Sequence, residues 1–403
     1  ITRILQGKIP GVQINPQGGF LGTQATVIIR SKNSISGSNQ PLYIIDGAPI
    51  VGDRSFDIDP NNIESTTVLK GLAASTLYGQ DGRNGVIIIN TKTGSGKGKD
   101  EKFEVEVNQT TSFLTVANLP DFQNDYGQGA DNTLNTTFFG TWGARFDNQE
   151  VPHHLSIPAY NSSFPEYIGA TDTYRAIPNN VNDFFKQGIG NVTSVSITKS
   201  SEDSSVNFAY SKTDQTGYVD ENKLMRDNFS FGSSTKLANK LKLNTSVLYN
   251  KTISTRPTRN FFTLLTWIPR NLDIHNLPFE DPNDFSSVYY RVTITNPRWQ
   301  QKNTQFKEDS DRLFIKAALD YEISDKLNLS YLYSNDYYNE FNYDYQHKGA
   351  ILNFTTCNGY TIIEGEKIPS VENRMILHDP SKRHCGTTTS NAKRRIIANF
   401  NYF

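Results

Sequence analysis

The alternation of apolar and polar positions changes character near residue 100. Before it, short apolar runs (Val27–Ile29, Leu42–Ile45, Val68–Leu69 and Val86–Ile89) are punctuated by glycine. Between the last two lies Gly71–Tyr78 (GLAASTLY), alanine-rich and long enough for barely two helical turns. Runs of that length with one short helix predict a small α+β domain over residues 1–99. It closes in Thr93–Asp100 (TGSGKGKD), whose glycines and lysines read as a flexible linker.

From Phe103 onward, over the second domain at 100–403, segments of about ten residues alternate with period two, the signature of strands with two different faces. Leu313, Ile315, Ala317, Leu319, Tyr321 and Ile323 share one face, Lys316, Asp320 and Glu322 the other. Leu241, Leu243, Val247 and Tyr249 oppose Lys242, Asn244, Ser246 and Asn250. Leu327, Leu329, Tyr331 and Tyr333 oppose Asn328, Ser330 and Ser334. Phe103–Ser112, Asn191–Lys199, Ser204–Lys212, Asp227–Lys236 and Lys393–Phe403 bring the predicted strands to eight.

The connections alternate strictly between short and long. Ser201–Asp203, Leu237–Lys240 and Ser324–Asp325 are tight turns, whereas Phe113–Gly190, Thr213–Arg226, Thr252–Ser310 and Asn335–Ala392 are long. Transmembrane barrels segregate loop lengths in this way, with short periplasmic turns and long outer loops. A soluble β-sandwich has no reason to. Eight strands cannot enclose a domain of a hundred residues, since a barrel with a plugged lumen has about 22 strands. The expected fold is an all-β transmembrane barrel, present in part as about eight antiparallel strands. The opening at Ile1, without an initiator Met, agrees with a piece of a longer, processed protein.

Charge and composition narrow the chemistry. Forty basic against 41 acidic residues leave a net charge of −1, and no basic block suggests nucleic acid. No run approaches the roughly 18 apolar residues of a membrane-spanning helix. The aromatics are abundant, 24 Phe, 20 Tyr and 3 Trp. In strands, as at Tyr249, Tyr331 and Tyr333, they suit lipid contact or an interfacial girdle. In the long connections, Tyr126, Phe138, Phe139, Trp142, Trp267 and Trp299 have no lipid to cover. These six are the candidate ligand contacts, with loop packing the competing reading.

Nothing points to an enzyme. No G-x-S-x-G or H-E-x-x-H pattern occurs, and no histidine suggests a triad. Gly79, Gly82 and Gly85 are spaced G-x-x-G-x-x-G, which is not the dinucleotide fingerprint, and GSGKGK at 94–99 lacks P-loop spacing. The adjacent pair His153–His154 reads as solvated loop rather than metal site. Asp121–Asp131 and Glu280–Asp284 offer carboxylates for structural calcium but lack EF-hand order. Cys357 and Cys385 fall in one outer loop, where a disulfide is the better reading.

The N-terminal motifs can now be named. PLYIIDGAPI at 41–50 and DPNNIESTTVLKGLAASTLYGQDGRNGVIIINTKTG at 59–94 closely resemble the plug of TonB-dependent receptors of the SusC/RagA family, as does LQGKIPGVQI at 5–14. The matching positions include Pro41, Asp46, Gly47, Tyr78, Gly79, Asn84 and Gly85. Two positions depart: Arg30–Ser31–Lys32 stands where the family has Arg-Gly, and Gln80–Asp81 where it has Ser-Arg. The resemblance implies an outer-membrane importer of a Bacteroidetes-type Gram-negative bacterium, driven through TonB by a segment upstream of Ile1. It further implies a SusD-like surface lipoprotein as lid, and glycans, oligosaccharides or oligopeptides as substrates. The alternative is a structural subunit of a larger outer-membrane assembly that keeps the plug but not transport.

Overall fold

The computed structural model describes residues 7–50 apart from 8, 17–18 and 24, residues 58–93, residues 101–257 apart from 139, and residues 262–346. Beyond these it describes short strand segments between 349 and 401. The N-terminal domain begins with the antiparallel ribbon β1 (Val12–Pro16) and β2 (Ala25–Ile29). A four-stranded sheet follows, built from β3 (Leu42–Ile45), β4 (Ala48–Pro49), β5 (Ile63–Leu69) and β6 (Val86–Thr91) in the order β4–β3–β6–β5. Helix α1 (Leu72–Tyr78) lies between β5 and β6 and seals one face of the sheet through Ile44, Ala74 and Val86.

The turn from β3 to β4 is the two residues Asp46 and Gly47, both at positive φ (49° and 89°), the geometry that suits a tight hairpin. Asp46 is held there by Thr91, whose backbone N–H and hydroxyl each donate to its carboxylate at 2.7 Å. The predicted glycine loop is a short 3₁₀ turn, Gly79–Asn84. Gly79 and Gly85 take positive φ, and a Cβ on Gly82 would meet the Ala74 carbonyl at 2.5 Å. Asn84 is buried behind this loop and donates to the Ser38 and Gln40 carbonyls, tying the 33–40 segment to the domain.

Seven strands form one antiparallel sheet in sequence order: β7 (Lys102–Leu114), β8 (Gly188–Ser200), β9 (Ser204–Thr216), β10 (Lys223–Ala238), β11 (Leu241–Pro257), β12 (Thr304–Ser324) and β13 (Leu327–Gln346). Each pairs with the next, so the meander is up-and-down throughout. The tight turns fall at 201–203, 239–240 and 325–326, all at one end. The long connections, 115–187 and 258–303, gather at the other with the shorter 217–222.

The strands outrun the expected ten residues, β12 reaching 21. Apolar alternation marks only the stretch suited to lipid, and the ladder continues beyond it with polar residues on both faces, which shortens the expected 213–226 loop to 217–222. The strand expected at 393–403 is described over Ile397–Asn401, where it pairs with Gly349–Asn353 outside the seven-stranded sheet.

From β7 to β12 the two faces of the sheet differ. One register row reads Val105, Ile197, Phe208, Phe231, Val247 and Ile315, all turned outward. The opposite face carries Ser194, Asn207, Ser211, Ser230, Ser246 and Ser254, all buried. Apolar outside and hydroxyl- and amide-lined inside is the polarity of a membrane barrel, not of a soluble sheet. Among the described residues no helix is long and apolar enough to cross a membrane.

Candidate functional site

The polar inner face of the sheet is covered by the N-terminal domain. Of the apolar side chains on that face, Leu248 and Phe314 join the cluster of Val27, Ile29, Tyr43, Ile45, Ile87 and Ile89. Burying each contributes roughly 2 kcal/mol. Around them the contacts are polar: Asn61 donates to Ser194 Oγ at 3.1 Å, Ser205 to the Thr93 carbonyl at 3.1 Å, and Lys92 faces Glu106 at 3.4 Å. Gly232 permits a close backbone approach, for a Cβ there would lie 2.6 Å from the Lys92 carbonyl. Deeper along the wall, Arg312 and Asp336 pair while both are almost wholly buried.

Above the domain the two long connections fold on one another into a crown. Val181, Phe184, Val219, Leu265, Ile268, Leu272, Tyr289 and Tyr290 form its core. Arg270, also buried, knits 115–187 to 258–303. It donates to the Gln123 carbonyl (3.1 Å), Asn124 Oδ1 (2.8 Å), the Pro178 carbonyl (2.6 Å) and Asn180 Oδ1, and it lies over the Phe122 ring. No pattern in the sequence marks Arg270, because its acceptors belong to aperiodic segments some ninety to 150 positions away.

His153 and His154 are not solvated, contrary to expectation; they are 8% and 3% exposed. His153 Nδ1 accepts the Leu155 N–H, which leaves its proton on Nε2, 3.5 Å from Asp172 Oδ2. The Oδ1 of Asn271 accepts from Gln128, so its Nδ2 donates to His154 Nε2 at 3.2 Å, and the proton of His154 sits on Nδ1, 3.9 Å from the same carboxylate oxygen. Both N–H groups face the Asp172 carboxylate at longer than ordinary hydrogen-bond distance, so the buried pair presents protons, not lone pairs, to its acidic neighbour. Burial pulls His154 down to about 3, and His153 is lowered by the same cause, partly offset by Asp172. Burial raises the Asp172 carboxyl.

Two adjoining depressions sharing Ala159, Val292 and Thr293 form a groove across the crown. The first, about 490 Å³, is largely apolar, with Phe138, Ile157, Pro158 and Tyr290 and with Arg291 at its rim. The second, about 560 Å³, is lined by Ser162, Ser163, Asp281, Asn283, Asp284 and Ser287. Phe138 is thus one of the ligand candidates to border a concave surface. Tyr126 and Trp142 touch each other, with ring centroids 5.8 Å apart, and Trp142 is 63% exposed. Trp267 is partly exposed at the end of a short helix. Trp299 is buried, its indole N–H donated to the Phe285 carbonyl at 2.9 Å, so it packs the crown and presents no ring to a ligand. Phe139 and Cys357 lie outside the described residues, as does the side chain of Cys385.

The acidic stretch at 280–284 is used internally. Glu280 pairs with Lys302 and Asn303, and Asp281 and Asp284 accept backbone N–H groups of their own turn. Among the described residues no three His, Cys, Asp or Glu side chains converge as a metal site.

Residues 1–86 match the family described as the TonB-dependent Receptor Plug Domain. TonB-dependent receptor P26 of Formosa agariphila is 30% identical over 77% of this chain and 32% of its own length. The chain belongs to the TonB-dependent receptors. The TonB-dependent receptor SusC of Bacteroides thetaiotaomicron is 40% identical over 98 residues, 23% of this chain and 10% of that receptor. The fold matches the RagAB peptide importer in its "open-open" state with a TM-score of 0.65 at 21% identity, covering 88% of this chain and 40% of that one. The chain spans about a third of the length of the curated receptors it matches along most of its own length.

Within the plug, the two departures from the SusC/RagA pattern lie at the surface. Gln80 and Asp81 are exposed on the 3₁₀ turn. Arg30 is exposed at positive φ (67°), with its guanidinium lying where a Cβ on Gly71 would be 2.6 Å away.

Proposed function

We propose that this chain supplies the plug and part of the wall of an energised importer in the outer membrane of a Bacteroidetes-type Gram-negative bacterium. The observation that carries the reading is the plug seated against a polar, lumen-type face by Leu248, Phe314 and a ring of hydrogen bonds. A polar lumen has a use only if something hydrophilic passes through it, and a seated plug has a use only if passage is gated. The substrates are oligosaccharides, glycans or oligopeptides, and a SusD-like surface lipoprotein closes the outer mouth. TonB provides the pull. The groove supports an oligomeric ligand with mixed chemistry, because its apolar half and its hydroxyl- and carboxylate-lined half lie end to end. RagAB, whose fold this chain shares in part, is a peptide importer, which favours testing peptides beside glycans.

The test is uptake. Cells lacking the gene should fail to take up, or grow on, one class of glycan or peptide, and the lipoprotein should co-purify with the full-length receptor. Normal growth on every candidate, with loss of several surface lipoproteins from a larger assembly, would favour the structural-subunit alternative instead.

A further inference from the structure

The plug meets the crown through its apex at residues 19–23, and that contact is built as a catch. Leu21 is 3% exposed and Asn222, in the turn between β9 and β10, is 1% exposed. The Leu21 N–H donates to Asn222 Oδ1 at 2.9 Å, and Asn222 Nδ2 donates to the Leu21 carbonyl at 3.3 Å and to the Thr255 carbonyl at 3.0 Å. One side-chain amide thus takes the place of a neighbouring strand for the plug backbone. Arg256 donates to the next carbonyl, that of Gly22, at 3.3 Å. Both flanking glycines lie hard against their partners: a Cβ would come 2.5 Å from Tyr218 Oη at Gly19, and 2.5 Å from Ser254 Oγ at Gly22.

The same turn is anchored on its other side in the crown. Val219 is part of the crown core, Tyr218 packs on Phe185, and the Asp220 carbonyl accepts from buried Gln301. Phe20 of the apex stacks on Tyr218 with ring centroids 6.3 Å apart. Residues 217–222 therefore grip the plug with Asn222 and the outer loops with Val219.

We propose that Asn222 is a positioning residue that clasps the plug apex to the barrel wall, so that the apex and the 258–303 loop hold or release one another. Withdrawing the plug breaks the Asn222 bonds and frees the turn. Rearranging the crown shifts the turn and loosens Leu21. The inference rests on the plug assignment, and its test needs neither substrate nor TonB, so it stands or falls separately from import.

Hydrogen exchange on the full-length receptor in lipid nanodiscs reads it directly. Asn222→Ala should raise exchange at residues 19–23 about tenfold, the effect of leaving a backbone N–H and C=O unpaired, while strands β8–β11 keep their protection. Gly22→Ala, which forces the apex from Ser254 without touching Asn222, should do the same and serves if Asn222→Ala does not fold. Unchanged exchange at 19–23 in a folded variant would overturn the clasp. An equal rise across the strands would too, because it would mark Asn222 as a general stabiliser of the sheet.

Discussion

Arg270 and His154 are two residues whose roles come entirely from burial. Arg270 directs its guanidinium at carbonyls and amide oxygens of the facing loop. Arg270→Ala leaves those acceptors without a donor, at about 1–3 kcal/mol for each group kept from water. Limited proteolysis of the variant should cut within 115–187 while the seven-stranded sheet stays intact; a cleavage pattern like the wild type would count against the hub. His154 sets a pH dependence. Its folded value, about 3, lies below the ordinary histidine value, so the opened loop takes up the proton first. The crown is then fully packed above about pH 6.5 and loses about 1.4 kcal/mol for each unit below it, down toward pH 3. His153 acts in the same sense, whereas Asp172, with its raised value, offsets part of the loss in the carboxylate range. Crown proteolysis followed from pH 7 to pH 4 should accelerate on acidification, and His154→Gln should flatten the curve. Faster cleavage at the alkaline end would contradict it.

At the scale of elements, three glycines of one turn are needed for different reasons. Gly82→Ala drives a Cβ to within 2.5 Å of the Ala74 backbone oxygen, which cannot yield without opening α1. Gly79→Ala meets nothing within 4 Å and carries only the cost of its glycine-type backbone (φ 60°, ψ −140°), about 1–3 kcal/mol. Gly85→Ala combines positive φ with a contact of 2.7 Å to Ile29. Thermal unfolding should therefore rank Gly79→Ala the mildest of the three; a Gly79 variant as damaging as Gly82→Ala would refute the packing account. Much of this level is legible in the sequence. Period-two alternation located seven sheet strands, and Asp46–Gly47 announced its turn, because both signals are local. Strand ends were not legible, since the ladders continue past the apolar band. Nor was the crown: Trp299 bonds Phe285 across 14 positions and His154 bonds Asn271 across 117, and aperiodic loops carry no pattern that predicts which residues they enclose.

For the whole molecule, the plug fits one face of the sheet and lipid the other, and the chain encodes both with the same alternation. The outward Phe208, Phe231, Val247 and Ile315 would be costly in water, and the inward Ser194, Asn207, Ser230 and Ser246 costly in lipid. The two faces cannot be exchanged by any register slip that keeps both satisfied. The most direct measurement is spin-label accessibility at single cysteines in the full-length receptor in lipid, with Cys357 and Cys385 replaced by serine. Labels at Val247 and Ile315 should be relaxed by oxygen dissolved in the bilayer. Labels at Ser194 and Ser246 should be shielded from oxygen and from a water-soluble nickel complex, and should open to nickel when the plug is deleted. Labels at both sets of positions equally open to nickel, or inward labels unaffected by removal of the plug, would contradict a plug seated in a membrane barrel.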